Sequence, residues 1–571
     1  MQSTNLPSIA VIADAHLHDI YSDYDGANTI IDGEVLTLRS WTDTKRSSRV
    51  FNESRAALLA CLNSIRDQGI RTVVLLGDYS DDGQIESIAR VVHVLRDYEK
   101  NYGMSFFALP GNHDYFGPCG KHQSTRFAIN ATETRLVSSD PKTAETEKDS
   151  SVLTRKMYCP GAIDALETMS SFGFSKHPDY LHWETPFGLE DELSKRTYLA
   201  QSADGKNAYE LTDGSYLVEP VTGLWLLMLD ANVFEPRSGD WNITQKKAFI
   251  DSSDAGWNSV LRHKEFLLNW IQQVSLRAKK ENKCLLTFSH YPAMDPFNDE
   301  SGSYEKLFGV TEIKRRKPNA GVAKALLEAG VTLHFGGHMH VNASNQLQVK
   351  DRTFTNIAVP SPVAFPPAYG VIEPDAQQPA YHTVPMNSLQ LDERLMQFYK
   401  EEEHATGAVA FSPALSTQSY GEFLYKRILS RVEHRYLKKG WPEDIAAELR
   451  KTNTLDLLYL LTAPVDSGSV STLKSIEPSA DGVSLNNIEA LLAEHSLTVQ
   501  AFSGQSMMDF VADWYCLRDA GEMALPYINP PTLERYRFLS TQFGDNTLPA
   551  ATNHTSFFRI FLSLLNTAVG V

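Results

Sequence analysis

Seven side chains in this 571-residue chain could serve as metal ligands, and each stands just past a short apolar run. Ile9-Ala-Val-Ile-Ala leads to Asp14 and His16, and Val73-Val-Leu-Leu leads to Asp78. Phe106-Phe-Ala-Leu-Pro leads to Asn112, and Leu285-Leu-Thr-Phe leads to His290. Val331-Thr-Leu-His-Phe leads to His338 and His340. The set mixes nitrogen and oxygen donors without sulfur. It therefore suits manganese, iron, zinc or a similar ion rather than Cu(I) or an iron–sulfur cluster. Seven ligands exceed the four positions of one tetrahedral zinc and fit two adjacent metals, with a carboxylate such as Asp78 able to bridge them.

Such scattered residues can meet only if the fold gathers strand ends. In open α/β sheets the carboxyl ends of the strands converge on one crevice. Apolar runs at 8–13, 72–76 and 105–109 predict strands. Helical spacing at 54–68 (Leu58, Leu59, Leu62, Ile65, closed by Gly69) and at 84–100 (Ile85, Ile88, Val91, Val92, Leu95) predicts helices between them. This βαβαβ order implies parallel strands joined by right-handed crossovers. Further strands are expected at 224–229, 284–288 and 331–335, and helices at 264–279 and 320–329. Glycines beside the motifs let the backbone turn sharply at the rim.

From 115 to 213 the sequence is polar and irregular and reads as an insertion that shapes a substrate pocket. Beyond about 390 only helices are expected. The clearest covers 420–439 and stops at Lys438-Lys439-Gly440, and a Ser/Gly/Pro stretch at 464–482 interrupts the region. Two domains follow: 1–390, an α/β domain with the insertion at about 115–213, and 391–571, mostly helical and of unassigned role.

Lys and Arg number 53 against 70 Asp and Glu, a net charge of −17. Such a chain repels polyanions and should carry no broad nucleic-acid surface, although bound cations would invert the field locally. The five cysteines form no CxxC pair; Cys61 and Cys284 read as core residues. Cys119 and Cys159 could pair in an oxidising compartment or remain free thiols. The opening Met1-Gln-Ser-Thr-Asn-Leu-Pro has no basic or apolar leader pattern, and the apolar stretch 557–565 is too short to span a bilayer. As written, the expectation is a soluble, cytoplasmic protein without a membrane partner.

The ordered motifs D-x-H (Asp14, His16), G-D (Asp78), G-N-H-D (Asn112, His113, Asp114), H (His290) and G-H-x-H (His338, His340) resemble those of the calcineurin-like metallophosphoesterase family, over residues 8–390. The resemblance implies a four-layer αββα sandwich and hydrolysis of a phosphate ester. It also implies that Asp14, His16, Asp78 and His340 hold one metal and Asp78, Asn112, His290 and His338 the other. By the same resemblance, His113 is not a ligand: it contacts the scissile phosphate and aids departure of the leaving group, and Asp114 orients it.

Leu17 after the first His, and Asp114-Tyr115 in the third motif, differ from the nucleotidase branch, where Gly and G-N-H-E-F-D stand. The opening is closer to cyclic-nucleotide phosphodiesterase-like members, so the expected activity is that of a phosphodiesterase on a small, nucleotide-like substrate. The alternatives are a phosphomonoesterase of the same fold, a non-catalytic binding scaffold, and a metal-dependent amidohydrolase suggested by His16-Leu17-His18. His18 and Asp19 are expected behind the ligands or at the surface. Asp81 and Asp82 are expected to cap the next helix, Asp230 to be structural, and His334 and the phenylalanines 557, 558 and 561 to be core.

Overall fold

The structure, a computed structural model, describes residues 6–147, 150–254, 256–299, 301–375, 379–408, 410–463, 472–473, 485–545 and 553–569. The chain divides into two compact units. The first comprises 1–44, 49–296 and 316–421, and the second 45–48, 297–315 and 422–571.

The first unit contains two large sheets. One has five strands in the order Ala380–Pro385, Ala368–Glu373, Ile9–Ile12, Thr72–Leu75, Ser105–Ala108. Its last three strands are parallel, with Ile9 opposite Thr72 and Thr72 opposite Ser105, as the βαβαβ pattern requires. The connecting helices are Ser54–Asp67 and Ile85–Tyr102.

The other sheet has seven strands: Ala343–Val349, Arg352–Ala358, Leu333–Gly336, Cys284–Ser289, Leu224–Leu229, Tyr216–Val221, His182–Glu184. Leu224–Leu229, Cys284–Ser289, Leu333–Gly336 and Arg352–Ala358 run parallel. Alternation along Leu224–Leu229 shows how this sheet is covered. Leu224, Leu226 and Met228 join the core that contains Ile9, Val11, Val73 and Phe107, together with Leu62, Ile65, Val91 and Leu95 of the helices. Trp225, Leu227 and Leu229 face a separate core with Trp257, Leu267, Ile271, Val322 and Leu326. Successive residues of a strand point to opposite faces, so a strand apolar throughout must be buried on both. The result is an α/β fold of four layers, αββα.

Three regions differ from the sequence reading. The segment 115–213 is not irregular. It builds the sheet Ser124–Ala128, Thr134–Ser138, Ser151–Leu153, the helix Ala162–Thr168 and the hairpin Thr197–Gln201/Ala208–Thr212. It also supplies the edge strand His182–Glu184 of the main sheet. The core of its small sheet is a minor cluster of Tyr24, Ala27, Phe127, Val137 and Met157, with Val152 against it, so few positions need be apolar and the strand pattern is faint. Four further strands lie between 343 and 385, where none is expected from the sequence; Ala343–Val349 alternates half-buried and exposed residues and is rich in Ser, Asn and Gln, so its pattern is faint.

The compact units also divide elsewhere than 390/391. Helix Glu393–Ala405 belongs to the first unit, where Glu402 accepts from the Trp41 backbone N–H at 2.6 Å and Glu403 from its indole at 2.7 Å.

The second unit is helical. Glu443–Leu449, Thr454–Thr462, Met507–Ala520, Pro530–Phe543 and Asn553–Val569 are its main elements. Phe557 and Phe561 pack with Trp441 and Trp514, the Trp514 and Phe561 rings lying 4.7 Å apart, so the C-terminal aromatics are core. The helix beginning at Thr454 is closed by a reciprocal capping box between Asn453 and Asp456. The Ser/Gly/Pro stretch lies outside the described residues except for Thr472 and Leu473. No helix among the described residues is long and apolar enough to cross a membrane. All five cysteines are free, Cys119 exposed and Cys159 buried.

Candidate metal centre

The candidate ligands follow strand carboxyl ends on left-handed backbone. Asp14 (φ 53°), His16 (41°), Asp78 (48°), His338 (69°) and His340 (56°) all have positive φ. Asp and His are among the few side chains enriched in this region, and such strain clusters at functional sites. The turns interlock across the strands: Asp14 N–H donates to Gly77 O at 3.2 Å, and His16 N–H to Asp78 O at 2.8 Å. Two glycines are required by close approach. A Cβ on Gly111 would lie 2.2 Å from Asp78 Oδ1, and one on Gly337 2.5 Å from Asp14 Oδ2.

All seven candidate ligands come together. Asp14, His16 and His340 form one cluster and Asp78, His290 and His338 another, with ligand atoms in each within 4.8 Å of one another. Asp78 Oδ2 lies 3.6 Å from His16 Nε2 and 3.5 Å from His290 Nε2, so this carboxylate stands between the two clusters. His340 Nε2 is 3.4 Å from Asp14 Oδ1 and 3.2 Å from His16 Nε2. Asn112 donates through Nδ2 to Ser253 Oγ at 3.2 Å, which turns its Oδ1 to 3.2 Å from His290 Nε2.

Elementary electrostatics requires cations here. Asp14 and Asp78 are 0% and 1% exposed, and among the described residues neither pairs with a lysine or arginine. A buried carboxylate needs a compensating charge. Burial would raise Asp78; His290, His113 and His16 outweigh it and hold the group well below the carboxylate range. Burial lowers His290, and Asp78 outweighs that, raising it to about 9. The pocket thus demands positive charge, which a metal ion supplies as well as a proton does.

The imidazoles suit the metal. His290 Nδ1 lies 2.7 Å from Leu76 O and His338 Nε2 3.0 Å from Ser253 O. A carbonyl can only accept, so these nitrogens carry protons, which leaves His290 Nε2 and His338 Nδ1 free to serve as ligand atoms. Burial lowers both His16 and His338 well below the usual imidazole range, assisted by Arg49 and by His290 respectively, and so favours the neutral ligand form. The donor set, its convergence and its unbalanced buried charge fit a pair of metal ions.

His113 lies beside both clusters, its ring 4.9 Å from that of His16, and is not among the grouped donors. Its carboxylate partner is not Asp114, as the sequence reading had it, but Asp82, whose Oδ1 lies 2.9 Å from His113 Nδ1. Asp114 is fully buried and accepts from Ser80 N–H (3.0 Å), Ser80 Oγ–H (2.9 Å) and Gly111 N–H (2.8 Å), locking the two motif turns together. Burial and Asp78 push it up to about 7.

The capping role read for Asp81 and Asp82 also fails, because the helix starting at Ile85 has no side-chain cap. Asp81 pairs instead with Arg49 at 2.8 Å and Arg39 at 3.6 Å. Sequence reasoning missed Asp82 because only the fold shows which of two adjacent carboxylates faces His113. The Leu76 and Ser253 carbonyls are backbone and leave no trace in side-chain pattern.

His18 is buried, bonded through Nε2 to Thr37 O at 2.9 Å, and outside both clusters. Asp19 pairs with Arg55 at 3.2 Å. Asp230 is structural: it accepts from the Gly214 and Asn232 amides, each at 2.9 Å, with buried Lys264 alongside. His334 lies in the core between Ser289 Oγ and Asn356 Oδ1, both at 2.8 Å.

Residues 7–208 match the family model described as calcineurin-like phosphoesterase. No curated protein matches the chain. Among solved structures, a dimetal phosphatase from Danio rerio is similar at 12% identity and a TM-score of 0.31, over 66% of this chain and 98% of that one.

Proposed function

We propose that the chain, whose residues 7–208 match the calcineurin-like phosphoesterase family model, is a two-metal phosphodiesterase acting on a small, nucleotide-like phosphate ester. The observation that carries the reading is the shared carboxylate: Asp78 lies 3.5–3.6 Å from imidazoles of both clusters. Asp14, His16, Asp78 and His340 would hold one ion, and Asp78, Asn112, His290 and His338 the other.

When bound, such a pair supplies Lewis acidity toward phosphoryl oxygens and acidifies water. The remaining work falls to the protein. Asp82 holds the His113 ring through Nδ1, which leaves Nε2 to give a proton or a cationic hydrogen bond to the leaving oxygen. Asp114 keeps the Gly111 turn against Ser80, so that Asn112 and His113 stay in register with Asp78. His113 N–H donates to Asp78 Oδ1 at 2.7 Å, tying the proton donor to the shared ligand.

Preference for a diester rests on the Asp14-Ala-His16-Leu17 and Asn112-His-Asp114-Tyr115 patterns. An amidohydrolase would need His18 as a ligand, and its ring is engaged by Thr37 O. A binding scaffold gains no support where every ligand position and His113 are retained. Metal analysis combined with a panel of mono- and diesters tests the proposal. Two equivalents of metal and diester turnover are expected. Hydrolysis of monoesters alone would remove the diesterase assignment, and a metal-free, inert protein would remove the phosphoesterase.

A further inference from the structure

Lys121, near the Asp82 loop, has no acidic ion-pair partner among the described residues, and its position bears on what the substrate carries. Residues around Lys121 run beside the loop that holds Asp82. Lys121 N–H donates to Cys159 O at 2.8 Å, and Cys159 N–H donates back at 3.1 Å. Gln123 Nε2 donates to Asp82 O. A Cβ on Gly83, next to Asp82, would lie 2.8 Å from both Cys159 Sγ and His113 O. Lys121 is therefore one rung away from the His113–Asp82 pair.

Its Nζ is held 4.9 Å from the centre of the Phe116 ring, on the same segment as His113. Burial would raise the Asp82 carboxyl; the hydrogen bond and charge of His113, and then the charge of Lys121, outweigh it and lower the group.

Three other part-buried lysines of the first unit are neutralised. Lys156 meets Asp25 at 2.7 Å, Lys283 meets Glu219 at 2.7 Å and Lys317 meets Asp295 at 2.6 Å. Among the described residues no carboxylate pairs with Lys121, whose contact is the apolar face of Phe116. A ring face steadies an ammonium without satisfying its N–H donors as a carboxylate would. In a chain of net charge −17, an ammonium without an ion-pair partner among the described residues, near enough to act on the carboxylate that holds His113, favours an anion.

We propose that Lys121 binds a second anionic group of the substrate, so that the preferred ester carries a carboxylate or a further phosphate besides the scissile one. This rests on the phosphoesterase reading and narrows its substrate class. Lys121 touches no reacting atom, so it sets specificity and should act mainly through KM.

The test uses the full metal-loaded chain and matched chromogenic mono- and diesters, with and without an added carboxylate or phosphate on the non-scissile group. The wild type should prefer the doubly anionic esters in kcat/KM by roughly tenfold, the size of one charge-assisted hydrogen bond at a part-exposed site. Lys121→Met, which keeps the stem over Phe116, should lose that preference through KM, and Lys121→Arg should keep it. Comparing the carboxylate and phosphate arms identifies the anion. Calorimetric binding of non-hydrolysable phosphonate analogues reads the same contact without turnover.

An unchanged preference in a Lys121→Met variant of unaltered melting temperature overturns the proposal, as does a wild type indifferent to the second anion. Turnover of the singly anionic esters would leave the phosphoesterase reading intact in either case. Failure on every ester with two metals bound would overturn that reading instead, and analogue binding would then decide the Lys121 contact.

Discussion

The two halves of the metal centre use similar side chains and support them differently. In the Asp78–His290–His338 half, each imidazole is tied by its far nitrogen, His290 to Leu76 O at 2.7 Å and His338 to Ser253 O at 3.0 Å. In the Asp14–His16–His340 half, the buried Nδ1 atoms of His16 and His340 have no hydrogen-bond partner among the described residues. A tied imidazole has its tautomer and ring orientation fixed before metal arrives, whereas an untied one is positioned by backbone and packing alone. One half is thus preorganised, and the other would be completed by an ion.

The largest effect should come from the residue common to both halves. Asp78→Asn removes the shared charge, so both ions should be lost and turnover should fall to background. A variant that retains two equivalents of metal by elemental analysis would show that the halves are independent. His113→Ala lies outside both halves. It should lower kcat by about 10²–10⁴-fold, the usual weight of a general acid, with both metals retained. Metal loss in that variant would make His113 a ligand instead.

Graded chelation addresses the difference between the halves directly. Outer hydrogen bonds to ligating histidines are typically worth about 10–100-fold in metal affinity. One ion should therefore leave first, and His340→Ala should abolish the weaker site while sparing the tighter one. Simultaneous release of both would remove the difference between the halves, and loss of the tighter ion on His340→Ala would reverse the assignment.

The tied half also marks how far the sequence could be read. The five apolar runs ending in Asp14, Asp78, Asn112, His290 and His338 were legible because strands buried on both faces must be apolar throughout, and their polar ends stand out. What orients those ligands was not. The Leu76 and Ser253 carbonyls belong to any residue type, and the choice of Asp82 over Asp114 for His113 depends on turn geometry. Ser124–Ala128 and Ala343–Val349 escaped for a related reason: short or half-exposed strands bury too few side chains to impose a pattern.

The smallest predicted effect tests whether the tied half depends on the core beneath it. His334 bridges Ser289, which precedes His290, to Asn356, and its ring meets the Trp257 ring edge-on at 5.9 Å. Burial lowers it from its ordinary 6.5 to about 4. Because the folded value is depressed, the unfolded chain takes up the proton first. The contribution of this group is whole above about 6.5 and is lost as pH falls through about 4, amounting to roughly 3 kcal/mol across that window. In the metal-free chain, where no ligand–metal bond complicates titration, His334→Gln should show a shallower loss of stability between those limits than wild type, followed by denaturant melts on tryptophan fluorescence. The same variant, metal-loaded at neutral pH, should weaken the tighter ion more than the looser one, because Ser289 leads directly into His290. Equal acid sensitivity in variant and wild type, with both affinities unmoved, would mean that the hydrogen bonds to Leu76 and Ser253 alone hold the tied half in place.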